Sequence, residues 1–190
     1  MRTLNFCIIS ASYFSLYAQG AKKALESLNG TYASTGSEDW GRGTFGYREF
    51  TFEDGKWSLN FILALDPNLN TKVFEFRTFG TYKILRKSNV GKGVFEALFY
   101  EQKKFLTLRT DNQELIQGFG LAGCGLIKDS EKDISEDGCA IWPSVEDCNE
   151  DHDLLKLEGN ELFFGMRPAD NNMCSPDKRP NALLPAVVKI

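Results

Sequence analysis

The sequence has a single histidine in 190 residues and none of the short motifs that mark common catalytic sites. Gly-x-Ser-x-Gly, His-Glu-x-x-His and a glycine-rich phosphate loop are all missing. The histidine lies in the acidic run Glu150-Asp151-His152-Asp153, which is typical of a solvated loop. We therefore predict a protein that is not an enzyme, with no catalytic residue and no cofactor.

The spacings typical of metal sites are also missing. The chain has no Cys-x-x-Cys pair and no second histidine, so the sequence does not indicate a structural zinc site. Asp129, Glu131 and Asp133 begin like the calcium loop of an EF-hand, but Ile134 stands where that loop requires glycine. We predict no metal site.

Neither basic charge nor long apolar runs are abundant. The chain has 22 Lys and Arg against 26 Asp and Glu, a net charge of −4, so we predict no nucleic-acid partner. After residue 20, no apolar run approaches the roughly 20 residues of a membrane-spanning helix, so we predict no membrane span. The oligomeric state is left open by the sequence.

Residues 1–20 have the pattern of a secretory signal peptide. Arg2 precedes an apolar stretch without acidic residues, and Ala18-Gln19-Gly20 places small residues where signal peptidase cleaves. Cleavage there removes Cys7 and one of the 22 basic residues, which leaves a net charge of −5. We therefore predict a secreted, extracellular protein (periplasmic in a bacterium) with one β domain over residues 21–190. A buried N-terminal helix is the alternative for residues 1–20.

The start of the predicted domain combines a helical pattern with a glycosylation motif. Residues 21–28 contain no Gly or Pro and place Leu25 and Leu28 three positions apart, which predicts a short helix that Asn29-Gly30 ends. Asn29-Gly30-Thr31 is also a sequon, so Asn29 is a predicted glycosylation site if the source is a eukaryote.

Four of the five cysteines lie close together in the second half of the chain: Cys124, Cys139, Cys148 and Cys174. An even number of cysteines in a secreted chain indicates disulfides. Four cysteines allow three connectivities, and the sequence does not distinguish them. Our prediction is Cys124–Cys139 with Cys148–Cys174, since the second pair ties the loop before the last hairpin to the irregular segment after it.

Residues 48–65 predict a β-hairpin that turns at Asp54-Gly55. One face is apolar except for Arg48 at its far end, with the pairs Phe52–Trp57, Phe50–Leu59 and Arg48–Phe61. The other face is polar, with the pairs Glu53–Lys56, Thr51–Ser58 and Glu49–Asn60. A single register satisfies both faces, as expected of a half-buried antiparallel sheet.

Turn signals divide the rest of the chain into further strands. The predicted elements are strands over 73–86 with a bend or bulge at Gly80, a hairpin of 94–100 and 105–110, a short strand over 115–119, and a hairpin over 154–164. Repeated hairpins with one apolar face must be closed or covered. We therefore predict a mainly β fold: an antiparallel lipocalin-like barrel or half-barrel with a short N-terminal helix and a disulfide-stabilised C-terminal segment.

Aromatic residues are numerous, with 15 Phe and three Trp. An inward stripe of them is either an ordinary barrel core or the lining of a ligand cavity, which barrels of about eight strands can hold. Arg48 ends this stripe, where it meets a ligand carboxylate or reaches solvent. The predicted ligand-binding residues are Arg48, Phe50, Phe52, Trp57, Leu59, Phe61, Phe74 and Phe76.

Several stretches of the chain resemble the domain of the adenomatosis polyposis coli down-regulated (APCDD) family. The C-terminal matches are residues 131–139, 153–157, 161–165 with Arg167-Pro168, and 178–180 followed by Leu184-Pro185. Residues 28–32, 48–61 and 80–82 resemble the family's opening strand, central hairpin and following strand, although Tyr32 stands where Trp is expected.

The resemblance implies a lipocalin-like half-barrel that binds lipid and that, in animal members, restrains Wnt signalling by engaging the acyl chain of Wnt. Those members carry two such domains, whereas this sequence shows one, so lipid binding transfers better than Wnt inhibition. We predict a secreted binding protein that takes a lipid, an acyl chain or an acylated protein. The alternative is a protein-interaction or inhibitor module that acts through loops 124–148 and 166–180.

Overall fold

The computed structural model describes residues 19–190, so Cys7 and most of the predicted signal peptide lie outside the described residues. Helix α1 covers residues 19–26, close to the predicted helix, and the chain leaves it before Asn29-Gly30. Leu25 and Leu28 are buried in the core of the sheet. The Tyr82 hydroxyl donates to the Leu25 carbonyl and accepts from the Leu28 amide, so α1 is fixed to one end of the sheet.

Ten strands form one antiparallel sheet, which confirms the predicted fold class. The strands are β1 Gly30–Ala33, β2 Glu38–Gly41, β3 Thr44–Glu53, β4 Lys56–Ala64, β5 Lys72–Lys87, β6 Phe95–Leu108, β7 Glu131–Asp133, β8 Glu150–Glu158, β9 Glu161–Phe164 and β10 Val187–Lys189. The register of β3 with β4 is the predicted one at all six pairs, and β8 with β9 pairs Leu157 with Leu162 and Leu155 with Phe164 as predicted.

Apart from β2 and β7, the strands close into a ring, because β1 pairs with both β10 and β3. β1 uses the second half of β3, near the Asp54-Gly55 turn, whereas β2 pairs with the first half. Likewise β8 pairs with the first half of β6 and β7 with the second half. The barrel is therefore closed at the end that α1 covers and lacks a complete ring at the other end.

The predicted hairpin of residues 94–100 and 105–110 is wrong, because these residues form one continuous strand, β6. The polar residues 101–104 resembled a turn, but they contain a β-bulge opposite Gly80. The bulge shifts the alternation of side chains, so that Glu101 and Lys104 both point into the barrel and are buried. The prediction of a bend or bulge at Gly80 is confirmed in position, although the extra residue of the bulge lies on β6.

The predicted strand over 115–119 is also wrong: residues 115–118 belong to helix α2, Gln113–Gly118, and Phe119 is its C-cap. The Asn112 side chain accepts hydrogen bonds from the amides of Glu114 and Leu115, which is the N-cap arrangement that starts a helix. Among residues 19–190, no helix is long and apolar enough to cross a membrane.

Both predicted disulfides are confirmed, Cys124–Cys139 and Cys148–Cys174. The first one joins a 3-10 helix, Ala122–Cys124, to a tight loop in which Cys139 bridges to Trp142. The Trp142 ring stacks on Phe76 of β5 with 4.9 Å between the centroids. The segment between α2 and β8 therefore folds over the incomplete end of the barrel, with its own apolar core.

Candidate functional site

A cavity of about 380 Å³ lies inside the barrel and is bordered by residues of both apolar cores. Its volume falls within the roughly 300–1,000 Å³ of typical ligand pockets. The residues of the predicted set that line it are Arg48, Phe50, Trp57, Leu59, Phe61, Phe74 and Phe76. Phe52 is the exception, since it is buried beyond the cavity and packs edge-on against Tyr32 and Tyr82.

All three tryptophans of the chain, Trp40, Trp57 and Trp142, line this cavity. Trp57 lies edge-on to Phe99 and Trp40 packs on Phe61, with 4.8 Å and 5.2 Å between the centroids. Strands β3, β4 and β5 thus contribute an almost entirely apolar wall. The tryptophans also supply an intrinsic fluorescence signal for occupation of the cavity.

The mouth of the cavity lies at the incomplete end of the barrel. Trp40 on β2 and Ile141 in the disulfide-bound loop line the cavity, and their exposed fractions are 37% and 48%. The Trp40 indole passes over Gly46 of β3, where a Cβ atom would collide with it. The mouth is therefore flanked by the edge of β2 and by the segment that covers the barrel.

Arg48 is 3% exposed, so it does not reach solvent. Its Nε and Nη2 atoms donate to the two carboxylate oxygens of Glu38, at 2.8 Å and 2.6 Å, and Nη2 also donates to the Pro185 carbonyl at 2.8 Å. The Nη1 atom is buried and has no hydrogen-bond partner among the described residues. A buried donor without an acceptor is costly, so Nη1 is an unsatisfied polar atom in the wall of the cavity.

The wall formed by β6, β8 and the residues after β9 is charged, which the sequence interpretation missed. Lys104 forms an ion pair of 2.8 Å with Glu101 and donates to the carbonyls of Pro143 and Cys148 at 3.0 Å and 2.9 Å. Arg167 donates through Nη2 to Asp151 at 2.8 Å and through Nε to Asn171 at 2.6 Å. These ion pairs and Asp153 line the cavity opposite the aromatic wall.

The interpretation of residues 150–153 as a solvated loop is wrong, because they form the start of β8 and are largely buried. Asp151 and Asp153 continue the inward alternation of Leu155 and Leu157. His152 points to the other face, where its Nδ1 atom lies 3.2 Å from Nη2 of Arg179. Burial and the Arg179 charge lower the pKa of His152. Extending the two-residue period upstream from Leu155 would have revealed the two aspartates.

Asp153 is the most deeply buried carboxylate of the cavity, with 4% of the residue exposed. Its Oδ1 atom accepts from the amides of Leu154 and Gly165 at 2.7 Å and 2.9 Å, whereas Oδ2 accepts no hydrogen bond from the described residues. Burial raises the pKa of Asp153 to about 6. Burial, reinforced by the charge of Asp151, also raises the pKa of Glu101.

We expect Asp153→Asn to change how stability depends on pH. The pKa of Asp153 is about 6 in the fold and about 4 in the unfolded chain, so the folded state binds more protons between these values. The free energy of unfolding of the wild type therefore falls as the pH rises through this window. Asn keeps an Oδ1 acceptor but does not titrate. Urea denaturation measures the free energy of unfolding of Asp153→Asn minus that of the wild type. This difference should be about 2 kcal/mol larger at neutral pH than at about pH 4.

Asp133→Asn is the control with the opposite sign. Hydrogen bonds from Lys103 and Ser135 lower the pKa of Asp133 to about 2, so its carboxylate stabilises the fold above about pH 4 and loses this effect as the pH falls through about 2. A difference between Asp153→Asn and wild type that does not change with pH contradicts the buried, titrating carboxylate.

The remaining predicted sites lie away from the cavity or form its frame. Asn29 is exposed, as a glycosylated side chain must be. Cys148 lines the cavity wall, and its disulfide partner Cys174 lies in the segment after β9.

Within residues 19–190 no group of His, Cys, Asp or Glu has the arrangement of a metal site. Neither a known protein-family model nor a curated protein matches this sequence.

Proposed function

We propose that this protein is a secreted, non-enzymatic binding protein that takes a lipid, an acyl chain or another hydrophobic ligand into the barrel. The observation that carries the proposal is the cavity of about 380 Å³ with an aromatic wall and a mouth at Trp40 and Ile141. Protein interiors are normally close-packed, so an open space of this size favours a ligand over a filled core.

Three further observations support this proposal. The two disulfides are typical of a protein that folds in an oxidising compartment, which fits secretion. Arg48, which lines the cavity, has in Nη1 a buried donor without a hydrogen-bond partner among the described residues. The covering segment contributes Trp142, which lines the cavity and stacks on Phe76 of β5, so this segment forms part of the cavity wall.

An acylated protein as ligand, and a role like that of a Wnt antagonist, are proposed from the resemblance to the APCDD family alone. The alternative function, interaction through loops 124–148 and 166–180, uses the same region, because Ile141, Trp142 and Arg167 of these loops line the cavity. A partner that offers an acyl chain at the mouth would satisfy both proposals.

Phe61→Ala tests the cavity as the binding site. Phe61 lies near the mouth, is half-buried and packs on Trp40, so its removal should be tolerated while the apolar wall loses one ring. We expect the fluorescent apolar probe N-phenyl-1-naphthylamine to bind the wild type and to bind Phe61→Ala about tenfold more weakly, since a buried phenyl ring contributes about 1.5 kcal/mol or more. Probe emission and tryptophan quenching measure the binding.

Phe105→Ala is the matched control. Phe105 is also a half-buried aromatic residue, but it stacks on Phe79 and lies under Arg77 on the outer face of the sheet. The probe should bind this variant as it binds the wild type. Equal losses in both variants, or no probe binding by the wild type, would exclude the cavity as a hydrophobic binding site.

A further inference from the structure

We infer that the ligand is an uncharged amphiphile with a hydroxyl-bearing head, such as a monoacylglycerol or a long-chain alcohol, and is not a fatty-acid anion. The inference rests on the proposed function, because it assigns the chemical class of the molecule that occupies the same cavity. It follows from how the buried charges around the cavity are paired and from which polar atoms are left for a ligand.

Among residues 19–190, every cation that lines the cavity already has a carboxylate partner. Arg48 is paired with Glu38, Lys104 with Glu101, and Arg167 with Asp151, each at 2.6–2.8 Å. Asp153 is then a fourth carboxylate beside three cations. The charge of Arg167 also acts on Asp153, but Arg167 donates its hydrogen bond to Asp151. Arg179 is paired with Glu96 and donates to the carbonyls of Ala97 and Asp153.

A ligand anion would therefore enter a buried space without an unpaired cation to balance it. Burying a charge without a partner is strongly unfavourable, and here a carboxylate would also lie in the cavity that already holds Asp153. The bidentate contact of Glu38 with Arg48 is the decisive feature, since it neutralises the cation that would otherwise bind a fatty acid. An uncharged head group avoids this cost.

The polar atoms without a hydrogen-bond partner match a hydroxyl group. Arg48 Nη1 is a donor without a partner, and Asp153 Oδ2 is an acceptor that receives no hydrogen bond from the described residues. Lys104 has no further hydrogen bond to donate, because its ammonium group already contacts Glu101 and two carbonyls. A hydroxyl both accepts and donates, and a glycerol head carries more than one such group.

The two walls of the cavity require a molecule with an apolar part as well. Phe50, Phe61 and Phe76 lie on the aromatic wall, and Asp153 lies on the opposite, charged wall. Arg48 also lies on the aromatic wall: it pairs with Phe61 of β4 and precedes Phe50 by two residues on β3. An alkyl chain along the aromatic wall with its oxygen atoms toward Arg48 and Asp153 satisfies both sides.

Three ligands with twelve-carbon chains test the inference: lauric acid, dodecanol and monolaurin, titrated by displacement of N-phenyl-1-naphthylamine at neutral pH. We expect monolaurin and dodecanol to bind at least about tenfold more tightly than ionised laurate. Glu38→Gln frees the charge of Arg48 and Asp153→Asn removes the surplus carboxylate, so each variant should bind laurate more tightly relative to dodecanol.

Glu75→Gln is the matched control, because Glu75 is also a mostly buried carboxylate paired with an arginine, Arg109, but on the outer face. The affinity of this variant for laurate relative to dodecanol should equal that of the wild type. Laurate binding as tightly as the neutral ligands overturns the inference and leaves the proposed function standing. If the probe and all three ligands fail to bind, the proposed function fails, and the inference with it.

Discussion

Replacing Lys104 with Met is expected to lower the free energy of unfolding by about 3–5 kcal/mol. The residue is 1% exposed, and its ammonium group holds the Glu101 carboxylate and the carbonyls of Pro143 and Cys148. Met keeps the length of the side chain, so the loss comes from the polar groups that are left buried without a partner. Urea denaturation followed by tryptophan fluorescence measures it.

Two controls separate this charge effect from a packing effect. Lys103→Met removes the neighbouring lysine, which forms an exposed ion pair with Asp133, and should change stability by about 1 kcal/mol or less. Glu101→Gln combined with Lys104→Met should recover part of the loss, because no ionised carboxylate then remains unpaired. If Lys104→Met is as mild as Lys103→Met, the buried ion pair does not have the role assigned to it.

Replacing Gly80 with Ala should be about as damaging, with a loss of about 3 kcal/mol or more. A Cβ atom at this position would overlap the backbone carbonyl of Tyr100 on the neighbouring strand. Backbone atoms cannot move aside as a side chain can, so β5 and β6 would have to separate at the bulge. The bulge also sets the direction of Glu101 and Lys104, so we expect weaker probe binding by the folded fraction.

Gly36→Ala is the control for Gly80. Gly36 lies in the loop before β2, and no atom lies within 4 Å of where its Cβ would be. Its replacement should change the free energy of unfolding by about 0.5 kcal/mol or less. A Gly80→Ala variant with the stability of Gly36→Ala would show that β5 and β6 are not held as closely as described.

The parts of the fold that local patterns determine could be predicted. The Asp54-Gly55 turn and the strict alternation on either side of it allow one register, and β3 and β4 adopt it. The bulge in β6 could not be predicted in the same way, because its polar residues 101–104 resemble a turn in composition. Only their position opposite Gly80, which depends on long-range pairing, shows that they lie inside a strand.

The candidate site could be predicted only in part. Alternation identifies the side chains that point inward but not their height along the barrel, so Phe52 was grouped with Phe50 although it packs near α1, beyond the cavity. The sequence does not distinguish an inward carboxylate such as Asp153 from a solvated one, because buried charge is rare and depends on partners distant in the chain. Glu38, which neutralises Arg48, lies on a strand that the sequence did not reveal.

The ring of strands also fixes an order of events during synthesis. β3, β4, β5 and β6 are joined by short connections, so their pairing can begin as soon as each has been made. β1 lies near the start of the domain, yet one of its two edges pairs with β10, where Tyr32 faces Lys189. Until the segment carrying Val187–Lys189 has been synthesised, the nascent chain exposes an unpaired strand edge beside an apolar interior, and this interval is when it most needs protection from aggregation.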